Sequence, residues 1–127
     1  MDRFENIIFY EDRRGRRPVF DYIEELEHSN GKDSRIKAAK IHEYIHMLST
    51  YGAFQLSGIY TKHLEDEIWE LRPLRDRILF AGVSNGKYVL LHIFMKETQK
   101  TPRREIERAK RELADFKERI DFHEKNL

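Results

Sequence analysis

The stretch DEIWELRPLRDRILFAGVSNGKYVLLHIFMKE, residues 66–97, decides the fold. Across it the apolar period is 2, and "DEIWELRPL", "DRILFAGVS" and "KYVLLHIFMKE" are three successive strand candidates rich in Ile, Leu, Val, Phe and Trp. Asn85-Gly86 joins the last two, and a type I′ hairpin turn needs the positive φ that this dipeptide accepts. Pro73 has no N–H for a ladder, so the first strand is expected to end or bulge there.

On either side the period returns to 3.6. "FENIIFYE" (4–11) predicts a short strand, closed by the Gly of "RRGRR" (13–17). Pro18 suits a first helical turn, and Phe20, Ile23 and Leu26 follow helical spacing up to Asn30-Gly31. A second helix is expected from about Ser34 to Tyr51, with Asp33 or Ser34 as N-cap, Ala38, Ile41, Ile45 and Leu48 as its apolar stripe, and Gly52 as its stop. Beyond the strands, Thr101-Pro102 reads as N-cap and first-turn proline of a last helix with Ile106, Ala109, Leu113, Phe116 and Ile120 on one side. The order β-α-α-β-β-β-α implies an α+β fold: a twisted, mostly antiparallel sheet with the helical pair packed on one face.

Composition bounds the chemistry. At 127 residues the chain is expected to form a single domain, 1–127, and the absence of cysteine excludes disulfides, thiolate chemistry and Cys-ligated zinc. The N-terminus has no apolar segment after a basic start and no run is long enough to cross a bilayer, so no membrane association and a cytoplasmic location are expected. Lys plus Arg is 24 against 23 for Asp plus Glu, a net charge of +1, but the cations bunch in "RRGRR" and in "KETQKTPRR" (96–104) while acids gather in 24–27 and 65–70. Such bunching can build a cationic groove on a nearly neutral protein; solvated loops and a charged helix face are the plainer explanation.

"IHEYIHML" (41–48) contains His-Glu-x-x-His, with His42 and His46 on one helix face and Glu43 where a zinc peptidase has its general base. The two histidines lie about 120° from the Ile41/Ile45/Leu48 stripe at 100° per residue, a flank rather than a cleft floor. Lys40 stands where that motif prefers an uncharged residue, and no third ligand follows at a suitable place. A helix flank carrying two interacting histidines accounts for the pattern.

The strands are unusually charged. Arg72 ends one, Arg77 begins the next, and His92 and Lys96 lie within and at the end of the last. In antiparallel order the end of one strand lies beside the start of its neighbour, so these groups can converge into a patch suited to a phosphodiester.

The segment from "YTKHLED" (60–66) through "WELR", "RILF", "FMK" and "TQKTP" to "EIERAKRE" resembles the RelE/HigB branch of type II toxins in the RelE/ParE superfamily, in particular its phage-derived HigB-like group. The likeness extends more loosely through "PVFDYIEEL" and the second helix. It implies a RelE-like fold and a toxin that cuts messenger RNA on the ribosome with neither metal nor cofactor, leaving 2′,3′-cyclic phosphate and 5′-hydroxyl ends. It further implies inhibition by a HigA-like helix-turn-helix antitoxin, with operator DNA bound only through that complex. Carried over by position, Arg77 is expected at the scissile phosphate, with Arg72 and Lys96 beside it; Glu70, the carboxylate nearest this cluster in sequence, is a candidate base or a salt-bridge partner. Lys100, Lys62, His92 and Arg103 are expected to bind substrate, although His92, inside an apolar run, suits a buried, hydrogen-bonded histidine better than a catalyst.

Two departures stand out. Lys96-Glu97 replaces the group's usual lysine pair, and Asp76-Arg77 replaces its Tyr-Arg, leaving Tyr60, Trp69 and Tyr88 as candidate stacking residues. The "RRGRR" loop and first helix are candidate ribosome or antitoxin surfaces. Rival readings are a gyrase poison on the same fold, a non-catalytic RNA-binding module, and the zinc peptidase.

Overall fold

Asp76–Val83, strand β4, is buried at every position from Asp76 to Ala81, because both of its faces are covered. It is the central strand of a five-stranded sheet in the order β1-β5-β4-β3-β2, whose other members are β1 (Ile7–Phe9), β2 (Thr61–Glu65), β3 (Ile68–Leu71) and β5 (Lys87–Met95). The helices are α1 (Pro18–Glu27), α2 (Lys32–Tyr51) and α3 (Arg103–Lys125). The structure, a computed structural model, describes residues 4–125 and the side chains of residues 4–120. Residues 1–3, at the N-terminus read above as lacking an apolar segment, lie outside the described residues.

All strand pairs are antiparallel except β1 with β5, which run parallel in the register Ile7↔Tyr88 to Phe9↔Leu90. The α1/α2 pair lies on one face, where Val19, Ile23, Ile41, Ile45 and Leu48 meet Leu71, Ile78, Phe80 and Leu90. Helix α3 covers the other face, packing Ala109 and Leu113 on Ile68, Leu79, Ala81, Val89 and Leu91. Phe80 is fully buried, and covering such a side chain stabilises the fold by about 1.5–3 kcal/mol. Among the described residues no helix is long and apolar enough to cross a membrane.

The α+β class and the paired helices are as expected; the strand count is not. Strand β2, "TKHLE", was not anticipated, because it is an edge strand whose exposed Lys62 and His63 supply little apolar alternation. Helix α2 begins at Lys32 with Gly31 as N-cap, so neither Asp33 nor Ser34 caps it. Its stop is as read: Gly52, at φ 83°, donates its N–H to Leu48 O, and a Cβ there would come within 3.2 Å of the Tyr88 hydroxyl. Asn85 and Gly86 both take positive φ, but the closing pair is Val83↔Lys87, so Ser84 joins the turn. Ile120 is more than a third exposed, beyond the end of the buried stripe of α3.

Candidate functional site

Strand alternation carries alternate side chains of β3 to the α3 face: Ile68 packs under α3, and Glu70 and Arg72 continue the series. The pairings Lys62↔Glu70, Glu70↔Leu79 and Arg77↔Phe94 put Lys62, Arg77 and Phe94 on that face too. Helix α3 begins only at Arg103, so this end of the sheet is roofed by the 96–102 segment instead. The result is a cleft lined by Lys62, Glu70, Arg72, Arg77, Phe94 and the residues from Lys96 to Pro102. Its five cations, Lys62, Arg72, Arg77, Lys96 and Lys100, outnumber Glu70 and Glu97, and the N-terminal end of the α3 dipole adds further positive potential.

Glu70 is the buried anion of the floor. Its Oε1 accepts the Thr101 hydroxyl at 2.6 Å, while Oε2 stands 3.6 Å from Arg72 Nε and 4.0 Å from Arg77 Nε. Both Arg distances exceed a hydrogen bond, so the carboxylate attracts the guanidiniums without occupying their donors. Arg77 is nearly buried, and its Nη1 donates to Leu74 O at 2.9 Å and Asp76 O at 2.8 Å. That anchors a turn in which Leu74 has φ 56°, a backbone region unfavourable for a residue with a Cβ. Burial draws the Arg77 pKa below its ordinary value; Glu70 acts against this and the positive charge of Arg72 adds to it. The same turn is tied to β5, since Lys96 N donates to Arg75 O at 2.7 Å and Arg75 Nη2 to Lys96 O at 3.2 Å. Among the described residues Lys62, Lys96 and Lys100 have no carboxylate partner.

Six of the eight candidate residues, Glu70, Arg72, Arg77, Lys62, Lys96 and Lys100, therefore share one cleft. The other two lie elsewhere. Arg103 forms a two-pronged pair with Glu65, at 2.5 and 2.6 Å, and bonds Glu107. His92 is fully buried under α3 between Glu105 and Glu112. The candidate stacking residues also point away from the cleft: Tyr60 packs edge-on to Tyr44, Trp69 lies against Phe80 on the α1/α2 face, and the Tyr88 hydroxyl accepts from Ala53 N. Phe94 is the aromatic that lines it. Thr101 was expected to cap α3; its hydroxyl reaches Glu70 instead, a contact that local pattern does not encode.

The remaining motifs are accounted for by packing. Phe4 lies against both rings of the His-Glu-x-x-His segment, stacked on His46 at 5.4 Å and tilted on His42 at 5.7 Å, and Glu43 pairs with Lys40. No group of three or more potential metal ligands occurs among the described residues. In "RRGRR", Arg13 pairs with Asp115, Arg16 with Asp12, and Arg17 with Asp21 while lying over the Phe20 ring.

A search of curated proteins finds no match. The family model for "Phage derived protein Gp49-like (DUF891)" matches residues 19–114, a span that runs from α1 to the packed part of α3 and includes the whole cleft. The chain belongs to this phage-derived Gp49-like family, a family of RelE/HigB-like toxins.

Proposed function

We propose that the protein is the toxin of a type II toxin-antitoxin system and that it acts as a metal-independent endoribonuclease on messenger RNA, most effectively on the ribosome. The observation that carries this reading is the placing of Arg72, Arg77, Lys62, Lys96 and Lys100 around the buried Glu70 in a single cleft.

The chemistry asked of such a cleft is transfer of the phosphodiester to the neighbouring 2′-hydroxyl. The 2′-oxygen bonds to phosphorus, its proton leaves to a base, and the P–O5′ bond breaks as that oxygen takes up a proton. The products are a 2′,3′-cyclic phosphate and a 5′-hydroxyl. Charge builds on the non-bridging oxygens, and donors fixed beforehand at that point lower the barrier most. Arg72 and Lys96 are the partly exposed donors. Arg77, with Nη1 committed to the backbone, offers its remaining edge from a fixed position. Glu70 Oε2, near both arginines and bonded to neither, is the proposed proton acceptor for the 2′-hydroxyl. Lys62 and Lys100, at the exposed rim, hold flanking phosphates.

Family membership supports an antitoxin as partner; we assign it the HigA-like, helix-turn-helix type. Induction of wild type and Arg72→Ala in cells, with primer extension on a reporter messenger, tests the reading. New 5′ ends with wild type alone, formed also by purified protein on ribosomes with chelator present, are expected. Growth arrest without cut messenger would favour a gyrase poison, and binding of RNA without cutting would favour a non-catalytic module.

A further inference from the structure

His92 is a buried titratable group that the proposed chemistry leaves unused. Its ring is fully buried, with Nδ1 2.5 Å from Glu112 Oε1 and Nε2 3.1 Å from Glu105 Oε1. A β-bulge puts it there. The register passes from Leu79↔His92 to Phe80↔Leu90, so Leu91 is the extra residue and two consecutive side chains, Leu91 and His92, face α3.

A neutral imidazole carries one N–H and can satisfy one carboxylate. With a carboxylate oxygen on each ring nitrogen, the three groups must share one further proton. Without it a ring lone pair faces a carboxylate in an enclosed space, an arrangement that buried polar groups do not tolerate. Among the described residues no substitute donor faces the ring. From α3, Glu105 and Glu112 approach the ring, with Arg104 (3.8 Å) and Arg108 (3.2 Å) on their outer oxygens. From the sheet come Leu79 and the Phe94 ring, 6.1 Å away, and Tyr10, on the Glu112 side, gives its hydroxyl to Asp115.

Glu105 sits in the first turn of α3, four residues after Thr101, whose hydroxyl holds Glu70. We propose that His92 is a positioning residue: by holding Glu105 and Glu112 together it seats the first turn of α3 against the anion cleft, and it does so only while the shared proton is present. Raising the pH removes that proton and loosens the turn, so the cleft binds anions well at lower pH and poorly at higher pH. The inference rests on the ribonuclease reading only in taking this cleft as an anion site.

The test is titration of inorganic sulfate, which keeps one charge state, into the full chain at a series of pH values. Backbone amide signals of residues 96–106 report binding by NMR. The deciding variant is Glu105→Gln, whose amide N–H can donate to a neutral ring nitrogen and keep the contact without the extra proton. Wild type is expected to lose sulfate affinity by about fivefold or more as pH rises, a typical size for coupled sites. Glu105→Gln is expected to show a flat course, and His92→Asn weak binding throughout. A flat wild-type course, the same course in wild type and Glu105→Gln, or no sulfate binding at any pH overturns the proposal. The ribonuclease reading is judged separately: sulfate binding that follows the expected courses without any cut RNA sinks that reading and leaves the positioning role standing. Cut RNA with identical courses does the reverse.

Discussion

The Thr101 hydroxyl donates to Glu70 Oε1 over 2.6 Å, joining the segment that leads into α3 to the buried carboxylate of β3, 31 residues earlier in the chain. Removing the donor leaves a buried carboxylate oxygen short of a partner. Thr101→Val is therefore expected to cost about 1–3 kcal/mol of stability and to slow RNA cleavage, whereas Thr101→Ser keeps both. Chemical denaturation with a cleavage assay on the same preparations checks this, and a stable, fully active Thr101→Val would show the bond to be incidental.

Arg72 and Arg77 should separate by phenotype. Arg72 has its side chain about a third exposed and touches Glu70 only at 3.6 Å, so Arg72→Ala should lower cleavage on the order of 10²-fold with little change in melting temperature. Arg77→Ala should lose activity and also about 1–3 kcal/mol, because Leu74 O and Asp76 O lose their buried donor. Thermal melts alongside primer extension distinguish the two. Equal destabilisation by both substitutions would contradict this division.

Glu65 provides an acid-sensitive fastening between β2 and α3. Hydrogen bonds from Arg103, and next from Lys110, lower its pKa from the ordinary 4.5 to about 2. A depressed carboxylate stabilises the fold fully above its unfolded value and loses that contribution as pH falls toward about 2. Glu65→Gln should therefore lower stability above about pH 4.5 and flatten the profile between pH 4.5 and about 2, leaving the slope of its neutral-to-alkaline side unchanged. Circular dichroism melts at stepped pH measure it. Because the group is solvent-accessible, added salt should shrink the effect.

His46 should prove dispensable for activity. His46→Ala is expected to leave RNA cleavage unchanged with or without chelator, and to cost about 0.5–1.5 kcal/mol from the lost stacking on Phe4. A large loss of activity without unfolding would return attention to the His-Glu-x-x-His segment.

The elements that the chain announces are those whose residues meet one dominant requirement. The apolar stripe Ala38/Ile41/Ile45/Leu48 repeats at the helical period, and the run from Ile78 to Ala81 is continuously apolar as a strand covered on both faces requires, so burial enforces helix and strand. Strand β2 escaped because an edge strand needs charge on its open side, which hides its alternation. The cationic cluster was legible in part: once the strands are known to be antiparallel, Arg72, Arg77 and Lys96 fall near one another.

What the sequence by itself determined is the α+β class, the hairpin at Asn85-Gly86, the stop at Gly52 and the set of residues available to bind phosphate. Tertiary structure alone decided which of those residues meet. The bulge at Leu91 set Leu91 and His92 side by side on the α3 face, where Glu105 and Glu112 hold the imidazole, and Glu65 drew off Arg103. The fold-back of 96–102 took Thr101 from a helix cap to Glu70. Each depends on a partner distant in sequence, and local periodicity carries no information about such a partner; only the closed packing of α3 on the sheet supplies it.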